Sequence, residues 1–409
     1  MSAADPAAER AAIDQVDFTA GLAGVPDALQ DALRRPLIDH HVHGCFTGTL
    51  TRQQFEDSIN EASTDPVPDF MTQFDSQLGI AIRRWCAPLL GLPRHAAADE
   101  YWARRSERGD EAVARVLLPA AGVSRWLVDT GFAADRLTSP VTLANWSAGQ
   151  AQEILRLESL GESLMAEQVS PRHYADEFRA GMAVARADAR VVGAKSIVAY
   201  RCGFDLDWTM PTDSEVATEV AAWSAGHTGS DPRMTSPRLA AFGIHTAAQV
   251  GMPIQLHVGL GDRDLDLNRA DPMLLLPLLR QTAIQRAPVL LLHCYPFHRQ
   301  AGYLAQAFGN VSFDVGLAVN HLGARSVALL AESLELAPFA KQLYSSDAFG
   351  LPELHVLGAV LWRRGMARVL GGWIREGDWS TADAVRVVQM IGAGNAERIY
   401  GQSGDVPVA

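Results

Sequence analysis

The 409-residue sequence is 48% hydrophobic and 20% charged, with a formal net charge of -12 and a pI near 5.4. That balance supports a large buried core. It argues against a protein that tracks nucleic-acid phosphates or docks on an anionic membrane surface.

Length suggests two or three domains, although one α/β barrel with insertions also reaches this size. The four cysteines, Cys45, Cys86, Cys202 and Cys294, form no C-x-x-C pair. A cysteine zinc cluster and a disulfide framework are therefore disfavoured, and a reducing, cytoplasmic compartment is expected. The N-terminus lacks a basic region followed by an apolar core, so no signal peptide is expected. No run of 18 apolar residues occurs, so no membrane span is expected either.

Residues 1–35 read as a polar, Ala-rich lead-in, with helical spacing from Ala20 to Leu33 that Pro36 ends. The first strand follows and closes on Asp39-His40-His41-Val42-His43-Gly44. Strand alternation puts Asp39, His41 and His43 on one face and Ile38, His40 and Val42 on the other. His40 is thus expected to face the helical layer. Two imidazoles on one face can grip a metal ion, and imidazole suits zinc; a polar strand end whose histidines merely hydrogen-bond is the other reading.

Residues 51–120 show helical spacing over 53–62, 70–90 and 99–118, punctuated by prolines, and form a helical insertion. Insertions after a barrel strand often cover an active site, but a solvated cap reads equally well. From about 125 short apolar strands alternate with helices. Strands are predicted over 125–131, 191–201, 253–259, 288–294, 311–317 and 342–348. Residues 151–157 are a strand or a helix start. Helices are predicted over 160–189, 237–250, 272–285, 298–308, 323–335, 353–370 and 381–391, and residues 202–235 form a loop insertion. About eight parallel strands predict a (β/α)8 TIM-type barrel, with its site at the C-terminal strand ends. A doubly wound sheet is the alternative, weakened by the lack of a G-x-G-x-x-G fingerprint.

His41, His257, His293 and Asp347 each lie four or five residues past the start of their strand. Equal depth means similar height, so the four would ring one end of the barrel. A lone histidine in an apolar strand is more often a core residue. Four at one depth, with the His-x-His pair, favour a metal site.

These residues resemble the amidohydrolase superfamily, specifically its amidohydrolase-2 branch. The likeness is carried by His41-Val42-His43, Lys195, His257, His293 and Asp347, and by the closing stretch Gly394 to Tyr400. Residues 193–203 and 344–353 look like the amidohydrolase part of proteins fused to a glutamine-synthetase-like domain. The resemblance covers about 36–401 and leaves 51–120 without a matching motif.

The resemblance implies that His41, His43, His257 and Asp347 hold zinc. Asp347 would also accept the proton of the attacking water and pass it to the leaving amine. His293 would polarise the scissile carbonyl or stabilise the oxyanion. Lys195 would pair with a substrate carboxylate, or bridge two metals if carboxylated; one ion is favoured. Asp39 could orient His41 or make a barrel-floor contact. Arg201 lies roughly 20 Å beyond Lys195 if the strand stays extended at about 3.3 Å per residue. It reads as a surface arginine, or as a carboxylate clamp if the chain turns inward near Tyr200. His298, Arg299, His321 and His355 are further candidates near the rim. Asp262, Arg263, Asp264 and Asp266 read as a solvated loop. No G-x-S-x-G elbow is present, so serine hydrolysis has little support.

The expected function is hydrolysis of a C–N bond in a small amide, such as a γ-glutamyl amide, by a homo-oligomeric enzyme. A non-oxidative decarboxylase or other lyase of the same branch, and a non-catalytic ligand-binding barrel, are the rivals.

Overall fold

The computed structural model describes residues 16–227 and 231–401. Among the described residues seven short strands form the sheet; the first and the last three are fully buried, as in a parallel sheet covered on both faces, while the third is mostly half-buried. The seven are β1 (Leu37–Val42), β2 (Val123–Asp129), β3 (Gln150–Arg156), β4 (Val191–Ser196), β5 (Ile254–Val258), β6 (Val289–His293) and β7 (Val311–Phe313). They pair in sequence order, all parallel, as a curled half-barrel. The register sets Arg156 beside Lys195, Lys195 beside Gln255, and Val258 beside His293, so the polar strand ends lie at neighbouring heights.

The expected eighth strand at 342–348 is not a regular strand. Leu343 N donates to Phe313 O of β7, while His40 N and His43 N of β1 donate to Tyr344 O and Ala348 O. The segment therefore bonds β7 on one side and β1 on the other. Its ladder breaks because Tyr344 N turns away to Ile391 O and Asp347 adopts a left-handed φ of 47°.

Beneath the polar strand ends lies a small apolar cluster. Ile38, Leu127, Ile154, Leu290, Leu292 and Leu343 fill it, and Ala396 and Tyr400 of the helix Asn395–Tyr400 close it. A second, larger core packs the helices outside the strands. The longest helix, Pro352–Glu376, starts with proline at its first position, where no intrahelical N–H is needed.

Several predicted helices are broken. Gly109, at φ 79°, divides 99–118 into Ala98–Arg108 and Asp110–Ala120. The stretch 70–90 is a set of short turns capped by Thr72 and Ser76. The stretch 272–285 likewise breaks into short turns. The stretch 160–189 becomes Leu157–Ala166 and Pro171–Ala187. Residues 202–235 hold a 14-residue helix, Asp213–Gly226, and residues 228–230 lie outside the described residues. The lead-in keeps one helix, Asp27–Leu33, and residues 1–15 are likewise outside the description. Among the described residues no helix is long and apolar enough to cross a membrane.

Between β1 and β2 the helices Arg52–Asp57, Ala98–Arg108 and Asp110–Ala120 alternate with turns and loops, and polar contacts tie this stretch to the rest of the chain. Arg105 Nε donates to Glu353 Oε1 at 2.7 Å, both buried. Ala324 N donates to Gln77 Oε1 at 3.2 Å, and Arg263 pairs with Asp65 at 2.6 Å.

Candidate metal centre

At the C-terminal ends of the strands, His41, His43, His293, Lys195 and Asp347 converge, all buried. His41 Nε2 lies 3.1 Å from Asp347 Oδ1, His43 Nε2 lies 3.6 Å from the same oxygen, and His293 Nδ1 lies 3.2 Å from Oδ2. His257 stands one ring further, 4.7 Å from His293 by ring centroids and 4.6 Å from Tyr200.

Two acceptors fix the tautomers. His41 Nδ1 lies 2.8 Å from Gln255 Oε1, whose amide nitrogen donates to His40 O and to Tyr400 Oη. Because that amide group is already the donor, Oε1 must accept, and His41 carries its proton on Nδ1. His43 Nδ1 donates to the backbone oxygen of Asp129 at 3.0 Å. Both Nε2 atoms therefore present lone pairs to a carboxylate oxygen. Acceptors facing acceptors in a buried site repel unless a cation stands between them. Lys195 Nζ, 2.8 Å from His41 Nε2 and 3.4 Å from Asp129 Oδ2, supplies part of that positive charge.

Burial holds His41, His257 and His293 well below the usual histidine range and lowers His43 to about 3. All four are neutral at pH 7. Burial raises Asp347 to about 6 against the pull of Lys195 and His43. Burial would also raise Asp129, but Arg156 and Lys195 outweigh it and hold the carboxylate well below its usual value. Burial lowers Lys195, opposed by Asp129 and Asp347.

Orphaned atoms test whether the residues fit a metal. His257 Nε2, both ring nitrogens of His293 and Asp347 Oδ1 are buried without a hydrogen-bond partner. Ligands held at about 2 Å by one tetrahedral ion lie about 3.3 Å apart. The His41, His43 and His293 separations from Asp347 bracket that value, and the group fits. His41, His293 and Asp347 form one possible ligand set; His41, His43 and Asp129 form another. His293 and Asp347 both have left-handed φ angles, 68° and 47°, which cost of order 1–3 kcal/mol each and are typical of functional sites.

The structure places the other candidates as follows. Asp39 does not touch the His41 ring; its Oδ1 accepts from the backbone of Ser346 and His41, and Gln255 does the orienting. His40 does not face the helical layer. A register shift in β1 between Asp39 and Val42 turns it to Asp314 and Tyr400 at the barrel floor. β4 ends at Ser196 and the chain coils into the short helix Val198–Arg201, so Arg201 lines the same cavity as Lys195 and pairs with Glu162 at 3.0 Å. His298 and Arg299 pair with Glu332 and Glu335. His355 hydrogen-bonds the backbone oxygen of His43 from behind. Two residues that the sequence reading passed over belong here: Asp129, ending β2, and Arg156, ending β3, joined at 2.6 Å.

The cluster opens into a cavity of about 480 Å³, lined by His43, Arg156, Lys195, Arg201, His257 and Asp347 among others. A larger hollow of about 890 Å³ opens among the starts of β4, β5 and β6. It holds none of the cluster, so the smaller cavity is the candidate site.

No protein-family model matches the chain. It is 28% identical over 413 aligned residues to the protein FluG of Emericella nidulans, covering 89% of this chain and 45% of FluG. The chain thus spans about half the length of that curated relative. A solved structure from Lactobacillus casei, inferred to be a metal-dependent hydrolase, superposes with a TM-score of 0.80. It is 26% identical and covers 94% of this chain and 100% of that one. A uronate isomerase of Bacillus halodurans superposes at 0.59, with 13% identity over 92% of this chain and 96% of its own. A glucuronate isomerase of Caulobacter crescentus superposes at 0.59, with 13% identity over 96% and 97%. The fold is amidohydrolase-like. The isomerases speak to fold alone. The Lactobacillus protein and the His/Asp cluster together support a metal cofactor and hydrolase-type activity.

Proposed function

We propose that this protein is a zinc-dependent hydrolase of the amidohydrolase-2 branch, cleaving a C–N bond of a small amide such as a γ-glutamyl amide. In this reading residues 36–401 are one catalytic unit. The 342–348 segment closes a (β/α)8 barrel, and 51–120 is an insertion at its mouth. The observation that carries the proposal is the set of lone pairs of His41 and His43 aimed at Asp347, beside the orphaned atoms of His257 and His293.

His41, His43, His257 and Asp347 would hold one ion, with Asp129 and His293 beside them. Zinc so held supplies Lewis-acid activation of water at neutral pH. Asp347, raised to about 6, is suited to take a proton from the attacking water and return it to the leaving nitrogen. His293, whose ring nitrogens are both unpartnered, would donate its one N–H to the carbonyl oxygen as charge develops there. Gln255 and the Asp129 backbone keep the two β1 imidazoles in the tautomer the site needs. Lys195 and Arg201, both lining the cavity, suit the carboxylate of a γ-glutamyl group.

The test is zinc-loaded protein against a panel of γ-glutamyl and acyl amides, with Asp347→Asn alongside. Turnover that falls by 10²- to 10⁴-fold in the variant is expected. A wild-type protein that carries zinc and cleaves no amide of the panel would sink the proposal.

A further inference from the structure

Glu61, in the bend that follows the helix Arg52–Asp57, lines the cavity together with His43, Lys195, His257 and Asp347. The hydrolysis above does not use it. Its side chain is 25% exposed, and its closest basic partner is His321 Nε2, 4.0 Å from Oε2 and beyond hydrogen-bond reach. That Nε2 is itself buried and makes no hydrogen bond. Burial lowers His321 to about 4, so the contact is not an ion pair at neutral pH. Glu61 thus stands partly open at the cavity wall, and the buried Nε2 of His321 beside it has no hydrogen-bond partner.

The segment is held in place. The Asp65–Arg263 pair ties it to the loop after β5, Gln77 ties it to Ala324, and the buried Arg105–Glu353 pair ties it to the long helix. Nearer to Glu61, Ala62 N donates to Asn60 Oδ1 at 3.1 Å and Val67 N donates to Asp57 Oδ1 at 2.8 Å, so the bend that carries Glu61 is tied back to the helix before it.

We propose that Glu61 is a substrate-contacting residue that hydrogen-bonds an uncharged polar group of the ligand, such as an amide or hydroxyl, with the neutral His321 behind it. This rests on the hydrolase reading for the nature of the ligand. Burial, with Asp347 and Asp262 nearby and Lys195 opposing, raises Glu61 to about 8, so at neutral pH it is mostly a carboxylic acid. A protonated carboxyl both donates and accepts, as the neutral imidazole opposite it does.

The experiment is calorimetric titration of zinc-loaded wild-type, Glu61→Gln and Glu61→Leu proteins with glutamate γ-hydroxamate, a zinc-chelating γ-glutamyl analogue whose release of hydroxylamine is followed in the same samples. Metal content and melting temperature are measured on each. The expected result is binding weakened at least tenfold in Glu61→Leu and no more than about threefold in Glu61→Gln, which keeps a donor and an acceptor. Metal content is expected to stay unchanged in both. Equal affinity in Glu61→Leu overturns the assignment. So does weakening accompanied by loss of zinc or a lowered melting temperature in both variants, because a purely structural role would move those readouts. Wild-type protein that binds the probe and cleaves no amide overturns the hydrolase reading and leaves Glu61 standing. Wild-type protein that carries zinc and does not bind the probe overturns both.

Discussion

Gln255 accepts the Nδ1 proton of His41 at 2.8 Å while giving its own amide protons to His40 O and Tyr400 Oη. One side chain therefore decides which nitrogen His41 turns toward Asp347. Replacing it with leucine leaves His41 Nδ1 and His40 O without this partner, leaves Tyr400 Oη with His40 alone, and frees the tautomer. Loss of such an orienting partner typically lowers metal affinity 10- to 100-fold. A competition titration with a chromogenic chelator reads this directly. An unchanged zinc affinity in Gln255→Leu would show that the orientation does not matter.

The neutral histidines predict acid sensitivity of metal-free protein. His43 ordinarily titrates near 6.5 and is lowered to about 3 in the fold, mainly by burial. Below 6.5 the unfolded chain takes up a proton that the folded chain refuses, so stability is lost as pH falls. Between pH 6.5 and 5 this one residue contributes about 2 kcal/mol of loss. Asp347, raised to about 6, works in the opposite direction over the same interval. His43→Gln should therefore flatten the pH dependence of the urea midpoint relative to wild type. Parallel curves for the two proteins would contradict the burial argument.

The Arg105–Glu353 pair is sealed, with side chains 2% and 0% exposed. Glu353→Ala leaves the guanidinium with Asp110 at 2.5 Å and without its inner partner. Breaking a buried pair from one side costs roughly 3–5 kcal/mol. Denaturant unfolding of Glu353→Ala should show that loss. A change below about 1 kcal/mol, the scale of an exposed pair, would mean the segment is not anchored here.

Lys195 separates one-ion from two-ion chemistry. Its amine lies 2.8 Å from His41 Nε2 and 3.4 Å from Asp129, and in the proposed one-ion reading it acts as a cation. Elemental analysis should find one zinc per chain, and the intact mass should show an unmodified lysine. Two ions with a carboxylated Lys195 would reverse this reading.

Much of the centre was legible because strands reveal themselves by alternation and by short apolar runs. His257 and His293 end such runs, and so does Asp129 after Trp126-Leu127-Val128. The same signal, read at the second strand, would have found Asp129 and, through its charge, Arg156. Other features lay beyond local pattern. The partner of Gln255 is 214 residues away in the chain, and the register shift that turns His40 inward has no composition signature. The 342–348 segment reads as a strand by its residues. Whether it pairs as one depends on the Asp347 backbone and on Ile391, and neither is a property of the segment alone. Arg201 was placed too far because strand propensity gave no warning that the chain coils after Ser196.

Tyr400 reaches the barrel floor and holds both His40 and Gln255. It leaves the ribosome 360 residues after His40 does. A growing chain thus exposes the first imidazoles long before the hydroxyl that steadies their support has been made. Metal capture should consequently belong to the finished polypeptide, and translation products that stop short of the closing helix should be poor in zinc even where every ligand residue is present.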